Sequence, residues 1–368
     1  MKKILLLLII AAVFLNCSAF AYGPTITVDS LFPTNPVNPA PYTEAPVQPS
    51  VPYYGETPAA VTNTLLLEHY GTDISMIPVG TKPLGERVKQ YIYLFQQAGD
   101  QYGVDPNILA AICMQESAGV NYSYKSDGTP YDAWGIMQIA NSMVHDFAKF
   151  GLETTGVEWT AEDRLVPEKA IPYAANLISK YLIYYDADYA KVIQGYNFGQ
   201  TVTNKLIAAK GPYWLSERAR AVEYVPDWPR DSYGDALYLE HVLRYYHTDI
   251  PYRGAKVRVN GKLVSFKDQF PIIINDSTLI PVRGVLEKLG AFVNWDPATY
   301  QVTISRAGQT VVLPIDNNNA KVNGADYYVD VPATLINNRT MVPIRFIADV
   351  FGVQINWDQP SRTVLITF

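Results

Sequence analysis

The chain is poor in metal-binding side chains, with two cysteines and four histidines among 368 residues. His69, His145, His241 and His247 show no ligand spacing, and none pairs with a cysteine in a metal motif, so no catalytic metal and no cofactor is expected. Long apolar runs are scarce as well. Lys2 and Lys3 precede the run Ile4 to Leu15, too short to span a bilayer comfortably, and Ala19-Phe20-Ala21 offers a small-x-small cleavage site. Residues 1–21 therefore read as a signal peptide, the mature chain as secreted, and no membrane segment remains after cleavage. Cys17 leaves a lipid-anchored form as an alternative, against which stands the polar Asn16 before it. With the leader removed only Cys113 is left, which excludes an intramolecular disulfide. Its place beside Ile108, Leu109 and Ile112 marks it as a small buried hydrophobe. Positive charge is short too, at 29 Lys and Arg against 35 Asp and Glu for a net −6, and losing Lys2 and Lys3 takes the mature chain to about −8. Such a balance argues against nucleic-acid binding and against any grip on an anionic surface by bulk electrostatics.

What is present falls into segments. Residues 22–61 are dense in proline without periodicity, which suits an extended spacer. Residues 62–250 carry helical periodicity at Leu84 to Ala98, Asp105 to Glu116, Pro167 to Tyr184, Ala190 to Tyr196 and Asp235 to Tyr246. From about residue 256 Val/Ile/Thr alternation predicts strands instead. A repeat runs through this part. Thr278-Leu279-Ile280-Pro281-Val282-Arg283 matches Thr340-Met341-Val342-Pro343-Ile344-Arg345, Gly290 matches Gly352, and Asn294-Trp295-Asp296 matches Asn356-Trp357-Asp358. Two units, about 256–305 and 306–368, are expected, each with strands and a short helix after its Pro-x-Arg. Trp295 and Trp357 should close their cores, Asp296 and Asp358 should open turns, and Arg283 and Arg345 should pair with carboxylates inside each unit. The fold class is α+β multidomain.

Glu116 is the most informative residue. Asp105 is a good N-cap, Pro106 a good first helical residue and Gly119 a stop. Steps of three and four from Ile108 and Leu109 reach Ile112, Cys113 and then Glu116, placing the carboxyl on the face to be buried. A desolvated carboxyl keeps its proton to higher pH, as a general acid must, whereas a Glu at a frayed helix end would simply face water.

After Glu116-Ser117 comes a loop rich in Tyr, Asp and Gly, then Gly135-Ile136-Met137-Gln138, and later Tyr196-Asn197-Phe198-Gly199. In this order they resemble the Glu-Ser, Gly-Leu-Met-Gln and Tyr-Asn-x-Gly motifs of the lysozyme-like soluble lytic transglycosylases, over roughly residues 84–246. The resemblance implies a mainly α lysozyme-like domain that cleaves the β-1,4 bond between N-acetylmuramic acid and N-acetylglucosamine in peptidoglycan glycan strands. It implies Glu116 as the proton donor, Ser117 orienting substrate or carboxyl, Met137 and Gln138 lining the cleft floor, and Tyr196 and Asn197 positioning the N-acetylmuramic acid. Tyr122, Tyr124, Tyr131 and Trp134 offer faces for sugar rings or ordinary packing. The chain departs from the pattern between the first two motifs, where Ser126 is followed by a longer stretch with Asp132-Ala133-Trp134-Gly135. Asp132, and after it Asp127, is thereby a candidate second carboxylate. A lytic transglycosylase forming a 1,6-anhydro product, a hydrolytic muramidase using Glu116 with Asp132, and a non-catalytic wall-binding or spacer protein all stay open at this level.

The C-terminal repeats, residues 256–368, resemble the copper amine oxidase N-terminal-like or stalk domain. No His or Cys follows His247, so this part lacks the ligands copper favours, and the resemblance implies instead attachment to, or spacing from, the cell wall.

Overall fold

The computed structural model describes residues 71–125 and 128–367. The expected signal peptide and proline-rich spacer, with Cys17 and residues 62–70, lie outside the described residues, as do Ser126 and Asp127.

Helices come first among the described residues and surround one of their number. α1 (Glu86–Lys89) and α2 (Ile92–Tyr102) replace the single helix expected over 84–98. The backbone tightens between them, Tyr91 N–H donating to the i−3 carbonyl of Val88. α3 (Pro106–Ser117) starts as its sequence dictates: the Asp105 side chain accepts from Asn107 N–H and Pro106 occupies the first turn. It stops one residue before Gly119, at Ala118, which takes the left-handed conformation. Ile108 through Cys113 are wholly buried, so α3 is a central helix rather than one with a single apolar stripe. α4 (Val144–Thr155), α5 (Pro167–Tyr184), α6 (Tyr189–Phe198), α7 (Gln200–Lys210) and α8 (Tyr238–Leu243) complete the set. A hairpin of β1 (Ala133–Trp134) and β2 (Ile139–Ala140) pairs Trp134 with Ile139 and carries Gly135-Ile136-Met137-Gln138 at its tip.

The strand-rich part begins with β3 (Lys256–Val259), β4 (Lys262–Leu263), β5 (Ile272–Ile274) and β6 (Ser277–Pro281), followed by α9 (Val282–Leu286), β7 (Phe292–Asp296) and β8 (Gln301–Arg306). Then come β9 (Gln309–Pro314), β10 (Asn319–Val322), β11 (Ala325–Tyr328), β12 (Thr334–Ile336), β13 (Arg339–Pro343), α10 (Ile344–Phe351), β14 (Gln354–Asp358) and β15 (Thr363–Thr367). A short helix does follow each Pro-x-Arg proline. The two copies nevertheless share their sheets: β6 pairs with β13, β3 and β4 of the first copy join β15 and β14 of the second, and β10 and β11 extend through β9 onto β8 and β7. Apolar residues from both copies, Ile280, Val302 and Leu313 with Val342, Ile347 and Val364, fill one core.

Two expectations for the repeats fail. Trp295 packs half-buried against this core, but Trp357 is 37% exposed, its indole N–H taken by Gln359 Oε1, because β14 turns that face outward. Arg283 and Arg345 are exposed and form no carboxylate pair among the described residues. Asp296 does open its turn, accepting from Ala298 N–H and Thr299 Oγ.

The helical and strand-rich parts belong to one compact unit. Arg253 forks onto buried Asp100 at 2.6 and 2.9 Å, Phe270 N–H donates to Gln101 C=O, and Arg258 reaches Asp186 at 2.6 Å. Lys256 is enclosed beside the Tyr189 ring, and burial brings its ammonium down to about 8.

Candidate active site

Glu116 lies in the last turn of α3. The Tyr238 hydroxyl, from the start of α8, donates to its Oε1 at 2.5 Å. Burial pushes the carboxyl up to about 7; the Tyr238 hydrogen bond opposes this by favouring the charged form, and the negative charge of Asp235 reinforces it. The group is thus a weak acid, half protonated near neutrality, on a residue that keeps part of its surface exposed.

The residues around it form a frame. Ser117 points inward: its buried hydroxyl donates to Ile136 C=O at 2.7 Å, tying the end of α3 to the hairpin tip. Tyr196, from α6, donates to Met137 C=O at 2.8 Å and grips the same tip from the other side. Met137 is wholly buried, so its side chain supports the floor from beneath rather than lining it. Gln138 is left-handed at φ 48° and folds its amide back on Gly135 C=O at 2.7 Å. Gly135, at φ 80°, sits where a Cβ would stand 2.0 Å from the Arg164 carbonyl, so only glycine lets the tip lie this close. Asn197 Oδ1 accepts Asp235 N–H at 2.7 Å, and Asp235 in turn accepts Leu237 N–H and meets His241 Nδ1 at 2.6 Å. The Tyr-Asn pair therefore fixes both the hairpin tip and the loop that delivers Tyr238.

Asp132 is exposed just before β1, its carboxylate 3.5 Å from Asn141 Nδ2, and no hydrogen bond joins it to Glu116. Among the four candidate sugar-stacking aromatics, Trp134 is buried under the Arg164 guanidinium, whereas Tyr122 and Tyr124 present open faces. Sequence reasoning assigned no role to Tyr238 or Asp235. Both lie in the Tyr233 to Tyr246 stretch, but nothing local told that it returns to Glu116 across 122 positions.

Residues 93–213 match the family model of the transglycosylase SLT domain, and residues 258–366 that of the copper amine oxidase N-terminal domain. Tyr238 and Asp235 lie beyond the first match. The second region holds no His or Cys, a donor set that does not fit copper. No curated protein matches the chain. Among solved structures, an inactive mutant of the lytic transglycosylase Slt from Pseudomonas aeruginosa is similar at 15% identity, over 43% of this chain and 23% of that one, with a TM-score of 0.31. The chain thus spans less than a quarter of that neighbour's length.

Proposed function

We propose that the protein is a secreted peptidoglycan-cleaving enzyme, a lytic transglycosylase acting on the β-1,4 bond between N-acetylmuramic acid and N-acetylglucosamine. The observation that carries this reading is Glu116, a shielded carboxyl near 7 held by Tyr238 and lying in a region that matches the SLT family. Protonated Glu116 gives its proton to the glycosidic oxygen as the bond to the muramyl C1 breaks. The carboxylate so formed then takes the proton of the same sugar's C6 hydroxyl as O6 bonds to C1, leaving a 1,6-anhydro end and a reprotonated Glu116. One group serves both steps, and no second carboxylate is required. Tyr238 orients the carboxyl throughout, and Gln138 and Asn197, at the rims of the frame, supply amide groups for acetamido and hydroxyl contacts.

Export is the reading of residues 1–21, and no helix among the described residues is long and apolar enough to cross a membrane. The strand-rich part is proposed to hold the enzyme to the wall. Zymography on peptidoglycan is expected to show clearing by wild type and none by Glu116→Gln; equal clearing, or none by either, would remove the catalytic reading. Mass analysis of the released ends decides the product. An end one water lighter than the reducing sugar is expected, and a reducing end abolished by Asp132→Asn would instead establish the muramidase.

A further inference from the structure

The first copies of the two repeat motifs meet in one place. Arg283, from the first Pro-x-Arg, and Trp295, from the first Asn-Trp-Asp, line a solvent-open groove of about 280 Å³ together with Val293, Leu335, Asn338 and Arg339. The size is close to the lower bound, roughly 300 Å³, of ordinary ligand sites. Because Asn338 and Arg339 belong to the second copy, the groove exists only where the copies interleave.

Its chemistry is specific. Arg339 is neutralised by a forked pair with Asp268. Arg283, exposed in the groove lining, makes no ion pair or hydrogen bond among the described residues, so no such contact offsets its positive charge. Trp295 meets Tyr300 at 67° and 5.4 Å between ring centroids, which supports the indole without stacking flat upon it, and its N–H has no hydrogen-bond acceptor among the described residues. Trp357, at the equivalent position, has spent its N–H on Gln359. Charge divides the same way over the whole chain: residues 256–368 hold eleven Lys and Arg against nine Asp and Glu, whereas residues 22–255 hold sixteen against twenty-six. A positive groove on the less acidic part of an acidic chain is complementary to an anion.

We propose that this groove is a second binding site, for a carboxylate-bearing muropeptide unit of the wall. The Trp295 indole takes the apolar face of a sugar or side chain, and Arg283 takes the carboxylate in a bidentate contact. The assignment rests on the peptidoglycan reading above, and it makes the strand-rich part a reader of the polymer that Glu116 cuts.

The test uses the full-length Glu116→Gln protein, titrated by calorimetry with purified muropeptides carrying free carboxylates, with the same muropeptides amidated, and with a glycerol-phosphate polymer. Binding of the free-carboxylate form is expected, at least tenfold weaker after amidation and weakened by salt. Adding Arg283→Gln or Trp295→Ala should cost about tenfold, and Trp295→Phe should keep most of the affinity. Arg283 is exposed, so Arg283→Gln should leave the thermal midpoint unchanged and tests the site without unfolding it. Undiminished binding by the Arg283→Gln protein, indifference to amidation, or binding of the phosphate polymer alone would overturn the proposal. Failure of the enzymatic reading would show separately, as absence of clearing by wild type.

Discussion

Glu116→Gln should stabilise the protein at alkaline pH while abolishing activity, and the size of the effect follows from the site. The folded carboxyl stands near 7 against an ordinary 4.5. Between these values the native state holds a proton that the unfolded chain has released, so stability falls as pH rises through the window and the loss is complete above the folded value. At about 1.36 kcal/mol per pH unit, wild type gives up about 3 kcal/mol between pH 4.5 and pH 8 on account of this one group. Glutamine keeps an acceptor for Tyr238 and cannot ionise. The variant's advantage should therefore grow by about 3 kcal/mol over that range, or roughly 5–10 °C in thermal midpoint for a unit of this size. Parallel thermal unfolding series from pH 4.5 to pH 9 measure it. Curves for the two proteins that stay parallel across the whole range would refute the claim that Glu116 is desolvated, and with it the general-acid argument.

Two further substitutions should move the alkaline limb of the activity profile in opposite directions. Tyr238→Phe removes the donor that favours the carboxylate and should carry the limb upward by about one pH unit with a lower kcat, whereas Asp235→Asn removes the nearby negative charge and should carry it downward. Rates measured against pH on soluble glycan strands check both; a shift in the same direction for the two would contradict the electrostatic account. At the seam between the parts, Arg253→Ala leaves the Asp100 carboxylate buried without its partner and should cost about 3 kcal/mol in urea unfolding, while an effect below about 0.5 kcal/mol would mean that the seam is not tightly held.

Helix α3 was legible because its signals are local: a capping Asp105, then Pro106, then an apolar run. The short helices after Pro281 and Pro343 were legible from the repeat. α4 was not, because Gly151 reads as a breaker; in the fold it is needed there, since a Cβ would stand 2.3 Å from the Trp159 ring. α7 was missed because Thr201, Thr203, Asn204 and Lys205 give it little apolar rhythm, and neighbouring elements decide its conformation. At the site, the motifs named residues that do meet, but their parts in the meeting were hidden. Ser117, Met137 and Tyr196 are joined through hydroxyls and main-chain carbonyls, which leave no trace in residue type, and Tyr238 arrives by tertiary packing alone.

The parallel pairing of β15 with β3 makes the last strand of the described chain the neighbour of the strand that leaves the helices. Closing it joins residues about a hundred positions apart, a contact that forms late and slowly. Until then β3 and β14 each expose an open edge, and the seam that Lys256 and Arg258 complete against the helices lacks one wall. A chain cut short of β15 would therefore be expected to aggregate through these edges rather than survive as a free helical enzyme.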